Sequence, residues 1–593
     1  MSLQFIFGNS GSGKSYYLYQ QIVEESIRHP EKNYLVLVPE QFTMQTQKDL
    51  CMAHPRGGIM NIDVLSFGRL AHRVFEETGK ERQPILDDEG KNLVLRKIAG
   101  NYEDELTVLK GNLKKQGYIS EVKSVISEFT QYGIDFEQLD SFMEGLNPES
   151  YLYYKLKDIR KVYEGFEDYL RDKYITKEEL LDVLSQTVPE AKMLKDSVIA
   201  MDGFTGFTPV QNRLIGELLK VCDKIMLTVE IDRREDPFVY KHPYQLFALS
   251  KQMVTSLTEV AQEMKVEIDE PVWLCKNPPY RFKENPEMAF LEEELFRYSR
   301  RKYSGEKMQS ISLHEVHTPQ EEAQYVAEEI RRLVREEGYR YREIAVIASD
   351  LNAYADPLEK ACERYEIPVF MDHKKSILLN SFVEYLRSLL VMVEQNYTYE
   401  SVFRYLRTGL CGFTRDEVDR LENYCLALDL KGFKKWDQVW VRKTPMTTKE
   451  ELEELNQLRV RFVEKLTPLH TVLKKRKKTV KEITLAVYEY LVQEKIQEQL
   501  AELEQKFQED GELALAKEYA QIYRIVLELF DKFVELLGEE EIPLKEYCEL
   551  LDAGLEEAKV GVIPPSLDQV MIGDVERTRI KNIRALFFVG AND

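Results

Sequence analysis

Cysteine, histidine and excess positive charge are all scarce in this chain, and each shortage removes a class of function. The seven cysteines in 593 residues are Cys51, Cys222, Cys275, Cys362, Cys411, Cys425 and Cys548. They are odd in number, scattered and free of any C-x-x-C pair. That pattern excludes a disulfide framework and a closed zinc site, and points to a reducing cytoplasm. The eight histidines are equally dispersed. His314 and His317 stand three apart, but inside an alternating run that reads as a strand, with no carboxylate or thiol cluster to complete a metal site. No apolar run approaches the length of a membrane span, and Met1–Gly8 leads into a glycine motif with no signal peptide before it. Lys and Arg total 81 against 103 Asp and Glu, a net charge of −22. Bulk charge therefore does not coat nucleic acid, although a local basic track lining a groove remains open.

What the chain does have is core-forming mass. Hydrophobic residues make up 44%, with 33 Tyr and 27 Phe, so global disorder is excluded. At roughly 150 residues per domain the length amounts to about four domains.

The organisation is α/β with helical interruptions. Leu3–Phe7 reads as a short strand, residues 8–13 as a glycine loop and Lys14–Arg28 as an amphipathic helix. Tyr34–Val38 and Ile62–Ser66 are further strands, and a helix follows over Gly68–Glu77. After Pro84 the periodicity is helical to roughly Lys195, and strands return at Val198–Met201 and Ile225–Val229. A second series begins with a strand at Ile311–Val316. It continues through a helix at Gln320–Glu337, a strand at Ile344–Ala348, a helix at Tyr354–Tyr365 and a strand at Val369–Met371. From about Ser381 the chain is helical again, until strands at Gln569–Ile572 and Ala585–Val589 complete the second series. Helical blocks inside strand–helix series suggest insertions carried by α/β domains. There is no solenoid repeat and no low-complexity linker. The basic run Lys474–Lys478 reads as a solvated helix junction in preference to a phosphate patch.

The sharpest motif is Gly8-Asn9-Ser10-Gly11-Ser12-Gly13-Lys14-Ser15, a G-x-x-x-x-G-K-S P-loop between a strand and a helix. Gly8, Gly11 and Gly13 let the backbone wrap phosphate oxygens, and the helix N-terminus supplies positive potential with Ser12 in the loop. Lys14 is placed for the β/γ-phosphates and Ser15 for Mg²⁺, which makes ATP with Mg²⁺ the expected cofactor pair. Asp202 ends the strand Val198–Met201 and is the candidate second metal-supporting residue. A motor of the helicase superfamilies carries Glu beside that Asp. Here the next residue is Gly203, so binding can survive while hydrolysis is crippled.

Together the P-loop, Val36-Leu37-Val38-Pro39-Glu40-Gln41, residues 65–71 and Asp202-Gly203-Phe204-Thr205-Gly206-Phe207-Thr208-Pro209 resemble superfamily 1 helicase motifs in altered form. Residues 341–348, 365–369, 569–574 and 587–593 agree with the later motifs. The combination closely resembles the B subunits of bacterial ATP-dependent helicase/deoxyribonucleases of the AddAB (RexAB) type. The resemblance implies two RecA-like P-loop NTPase domains, each with a mainly helical insertion. The first α/β domain would be 1–84 plus 195–300, with insertion 85–194. The second would be 305–395 plus 560–593, with insertion 396–559.

The resemblance also implies a partner A subunit holding the active motor and double-strand DNA ends as substrate. The B subunit's degenerate helicase half would scan single-stranded DNA for a recombination hotspot (Chi). A C-terminal 5′–3′ exonuclease braced by a four-cysteine [4Fe–4S] cluster belongs to the part of the family pattern not seen here. No clustered cysteines or nuclease motif are visible, so the chain reads as an N-terminal fragment.

Single-stranded DNA crosses the tops of the α/β domains in helicase-like folds, so loops after strands are the places to look. Gln41, Phe42 and Thr43, then Phe67, Arg69 and His72, then Phe204 and Phe207, then Arg577 and Arg579 are the candidate DNA contacts. Phe42 and Phe67 read equally well as core anchors. The alternatives are an active superfamily 1 translocase and a nucleotide-stabilised scaffold for a partner.

Overall fold

The computed structural model describes residues 1–593 except 80–83, 113–116, 172, 306–307, 372–374, 445–446, 561–567, 576–577, 579, 581 and 592–593. Strands β1 (Ser2–Gly8), β2 (Tyr34–Leu37) and β3 (Ile62–Leu65) join Val198–Met201 and Lys224–Glu230 in one parallel sheet. Its order is β3, β2, Val198–Met201, Lys224–Glu230, β1, with two short strands beyond β1. Every residue of β2 and of Val198–Met201 is buried, as strands covered on both faces must be. Side chains alternate between the two faces. Leu3, Phe5 and Phe7 enter one core with helices Phe67–Thr78, Leu180–Thr187 and Pro209–Leu219. Ile6 enters the other, against Leu18, Ile22 and Val23 of helix α1 (Lys14–Arg28). Those three lie on one stripe of a 3.6-residue period, so the apolar face of α1 seals the sheet directly behind the P-loop.

A second parallel sheet runs in the order Val369–Met371, Val570–Asp574, Ile344–Ala348, Ala585–Val589. Helices Pro319–Glu336 and Leu351–Arg364 share its core. One expectation fails here. The alternating run 311–316 joins no ladder and is largely exposed. Both sides of Ile344–Ala348 are already taken by neighbouring strands, and alternation alone cannot supply a partner edge. His314 in this segment bonds Ser312 and Tyr325. Among the described residues no group of three His, Cys, Asp or Glu side chains could hold a metal ion. No described helix is long and apolar enough to cross a membrane.

The helical blocks depart from expectation in their packing. Leu93, Val94 and Phe166 from the first block share one continuous core with Leu389, Phe462, Phe533 and Tyr547 from the second. Helix Asp88–Asn101 packs on Leu544–Glu557 and on Leu513–Leu537. Ion pairs Arg96–Glu549 (3.1 Å) and Lys123–Glu557 (3.0 Å) decorate the seam, joined by Lys532 with Asp87 (2.5 Å). Such partly exposed pairs contribute at most about 1 kcal/mol each, so apolar burial dominates the joint. The expected boundaries shift accordingly. Helix Leu180–Thr187, expected inside the block 85–194, buries Leu180 and Leu184 in the first sheet's core. Helix Ser381–Glu394, expected with 305–395, buries Leu386 and Leu389 in the helical core. Periodicity marks which face of a helix is apolar; it does not say which neighbour covers it. The basic run follows helix Lys449–Leu473, and residues 474–477 are exposed. Lys478 departs from a fully solvated junction, being buried with its Nζ donating to Lys475 O at 3.0 Å.

A shared core unfolds as a unit. Leu93→Ala should cost about 2–5 kcal/mol by cavity formation. Hydrogen exchange should then rise in Leu513–Leu537 and Leu544–Glu557 as well as in Asp88–Asn101. A rise confined to Asp88–Asn101 would show that the blocks are independent.

Candidate nucleotide-binding site

The carboxyl ends of five parallel strands converge at the P-loop, where an open α/β sheet holds its ligand. β1 delivers Gly8 opposite Glu230, and Met201 pairs with both Leu37 and Leu227. Gly11 and Gly13 take φ values of +72° and +94°, left-handed conformations that favour glycine. They turn the chain so that α1 starts at Lys14 with its first N–H groups facing the loop. Lys14 Nζ donates to the Asn9 carbonyl at 2.9 Å and lies 4.0 Å from Glu230 Oε2. Burial lowers the Lys14 pKa, against the opposing pull of Glu230 and then Asp202. The Ser12 hydroxyl is buried with no hydrogen-bond partner among the described residues, a donor that fits a phosphate oxygen.

Asp202 is almost fully buried and stands at the meeting point of two strands and α1. Its Oδ1 accepts from Ser15 Oγ at 2.9 Å and from Thr228 Oγ1 at 2.7 Å. Its Oδ2 accepts from Tyr19 OH at 2.7 Å. Ser15 and Asp202, the two residues expected to support Mg²⁺, are thus hydrogen-bonded to each other. Tyr19 and Thr228 do not appear in the sequence expectation, although Tyr19 lies four residues after Ser15 and therefore on the same helix face. The donor set of a hydroxyl and a carboxylate, all oxygen, suits Mg²⁺. When bound with nucleotide, the ion would supply charge neutralisation to the β/γ-phosphate oxygens.

A strap from Leu274 to Glu292 covers the loop. Leu274 N–H donates to Phe7 O at 2.8 Å, and Arg281 N–H donates to Gly11 O at 3.0 Å. Asn9 Nδ2 donates to Glu292 Oε2 at 3.0 Å, and burial raises the Glu292 pKa. Sequence reasoning missed this strap because nothing in it carries a periodic signal.

The candidate DNA contacts lie at the same edge of the first sheet but differ in exposure. Gln41 is exposed, whereas Thr43 is buried with its hydroxyl donating to Glu40 O at 2.9 Å. Phe67, Phe204 and Phe207 form one ring cluster, with centroid distances of 5.5, 6.3 and 5.1 Å. Phe67 is buried in the core, while Phe204 and Phe207 are half-buried against it. Arg69 and His72 are exposed on helix Phe67–Thr78, and the Arg69 guanidinium has no partner among the described residues. Arg577 and Arg579 lie outside the described residues.

Residues 5–292 match the family model described as ADDB, N-terminal, and residues 283–584 match the UvrD-like helicase C-terminal domain. The second match is to a helicase domain and fits a RecA-like sheet. Curated relatives, each named as the B subunit of an ATP-dependent helicase/deoxyribonuclease, align over the whole chain. One from Lachnoclostridium phytofermentans is 43% identical, covering 100% of this chain and 52% of the relative. Others from Clostridium novyi and Acetivibrio thermocellus are 34% and 33% identical, covering 51% and 52% of those proteins. The chain belongs to the helicase/deoxyribonuclease B-subunit family. It spans about half the length of the curated relatives it matches.

Within this family frame, the seven cysteines are free and dispersed, four of them buried. Burial raises the pKa of Cys222, Cys362 and Cys548 to about 12, so these thiols are poor metal ligands. None stands beside the phosphate loop except Cys275 in the strap, whose thiol pKa is also raised by burial.

The strap makes a prediction about Gly11. A Cβ there would lie 2.7 Å from Arg281 Cβ, whereas a Cβ on Gly13 meets nothing within 4 Å. Each alanine costs about 1–2 kcal/mol of left-handed strain. Gly11→Ala should additionally displace the strap, giving a lower denaturation midpoint than Gly13→Ala and faster hydrogen exchange over 277–283. Equal midpoints and unchanged exchange would contradict the strap's tight seating.

Proposed function

We propose that this chain is the helicase-like region of a B subunit in a heterodimeric helicase–nuclease that processes double-strand DNA ends for recombinational repair in the bacterial cytoplasm. It comprises two RecA-like α/β domains, each carrying helical material. It binds ATP with Mg²⁺, hydrolyses little and reads the unwound single strand for a hotspot sequence. The partner A subunit drives translocation. The nuclease and its [4Fe–4S] cluster belong to the further length that the relatives possess.

The observation that carries this reading is the backbone at Gly203. Ser15 and Asp202 form the metal-supporting pair, yet the next residue turns at φ +81°, a conformation a glutamate side chain strongly disfavours. A water-orienting carboxylate is therefore absent where a helicase motor carries one, and the turn itself resists its return. Gly8, Gly11, Ser12, Gly13, Lys14 and Ser15 would hold the nucleotide, with Ser15 and Asp202 supporting the metal. Exposed Gln41, Arg69 and His72 around the half-buried Phe204 and Phe207 would meet the strand. Aromatic stacking contributes about 1–3 kcal/mol per base and the polar groups supply sequence choice.

Fluorescence titration with hotspot and scrambled oligonucleotides tests the strand-reading role. The hotspot strand should bind more tightly at physiological salt, and Arg69→Ala should narrow that preference by about 1–3 kcal/mol. Equal affinities unchanged by Arg69→Ala would sink it.

One distance favours a second reading, an active translocase. Glu230 ends the strand beside β1, and its carboxylate lies 4.0 Å from Lys14 Nζ and is 57% exposed. It could orient water in place of the missing glutamate. If so, DNA-stimulated phosphate release assigned to this site by Lys14→Ala should fall about 10²-fold or more in Glu230→Gln. A rate already at background in the native chain excludes this reading.

A further inference from the structure

We propose that Tyr19 is a positioning residue of the metal seat: its hydroxyl holds the Asp202 carboxylate in the orientation that supports Mg²⁺ with nucleotide. The inference rests on the nucleotide-binding reading and deepens it. Ser15 and Tyr19 are one helical turn apart on α1, so both hydroxyls reach the same carboxylate. Ser15 and Thr228 donate to Oδ1 at 2.9 and 2.7 Å, and Tyr19 donates to Oδ2 at 2.7 Å. The setting is dry: Tyr19 is 5%, Asp202 2% and Thr228 4% exposed. A carboxyl group buried so deeply needs hydrogen-bond donors to be satisfied and held in one orientation.

Ser15 has two possible employments, as donor to Asp202 and as oxygen ligand to the cation. A hydroxyl binds a cation through an oxygen lone pair, so its hydrogen can still point at Oδ1. Tyr19 and Thr228 keep hold of the two carboxylate oxygens as well. Tyr19 is itself braced by Thr46, whose hydroxyl lies 3.4 Å from the phenol oxygen. Thr46 sits on the helix Thr43–Ala53, which follows directly from the Gln41 loop. The phenol thus stands between the metal seat and the element that carries a candidate strand contact.

The test measures binding of a fluorescent adenine nucleotide to the full-length protein, in saturating Mg²⁺ and in EDTA. Signal removed by Lys14→Ala defines this site. Tyr19→Phe should leave the EDTA affinity unchanged, with a modest fall in melting temperature from the lost buried hydrogen bond. The gain conferred by Mg²⁺ should fall about tenfold, and the Mg²⁺ titration midpoint should rise to match. Thr228→Val, which removes a donor on the other oxygen, should act in the same direction. A Tyr19→Phe protein with an undiminished Mg²⁺ gain overturns the proposal. So does an equal loss in EDTA and Mg²⁺, which would mark Tyr19 as structural only. Native protein that binds nucleotide equally with and without Mg²⁺ overturns the metal seat alone. Native protein that shows no Lys14-dependent binding in either condition overturns the nucleotide reading with it.

Discussion

The buried carboxylate of Asp202 ties together parts of the chain that are almost two hundred residues apart. It accepts from Ser15 and Tyr19 on α1 and from Thr228 on the neighbouring strand, at 2.7–2.9 Å. A carboxyl group at 2% exposure is stable only where hydrogen-bond donors surround it, so helix and strands assemble together there. The same constraint fixes the start of α1, and through it the glycine loop and Lys14. The phosphate cradle is therefore a product of sheet closure as much as of its own sequence.

The helical layer answers to a different force. Its two long blocks, one set within each series of strands, bury Leu93, Phe166, Leu389, Phe533 and Tyr547 in one core. Motors of this type work by moving two α/β domains against each other. Here the helical material carried by both is joined by apolar burial, with ion pairs only at its margin. At the first sheet, the backbone turns at φ +81° at Gly203, directly after Asp202.

Much of this was legible from residue order. Helix Lys14–Arg28 and strands Val198–Met201, Ile344–Ala348, Val369–Met371 and Ala585–Val589 form at the bounds that apolar patterning predicts. Ser15 at the end of the P-loop lies within hydrogen-bond reach of Asp202. The run 311–316 fails because alternation describes a surface that suits a strand, not an available edge. Thr43 fails as an open contact because its hydroxyl is turned back to Glu40. Phe67 proves to be the inner member of a ring cluster whose outer members are Phe204 and Phe207.

The sequence by itself determined the elements and the phosphate loop, because both depend on neighbours within a few residues: side-chain period, glycine freedom and helix start. Tertiary structure alone decided the rest. It brought Tyr19 and Thr228 to Asp202, set Glu230 near Lys14, laid the strap over Gly11 and fused the helical blocks. Each of these joins residues far apart in the chain, and such contacts are chosen by which apolar faces find cover together, a choice no local pattern encodes.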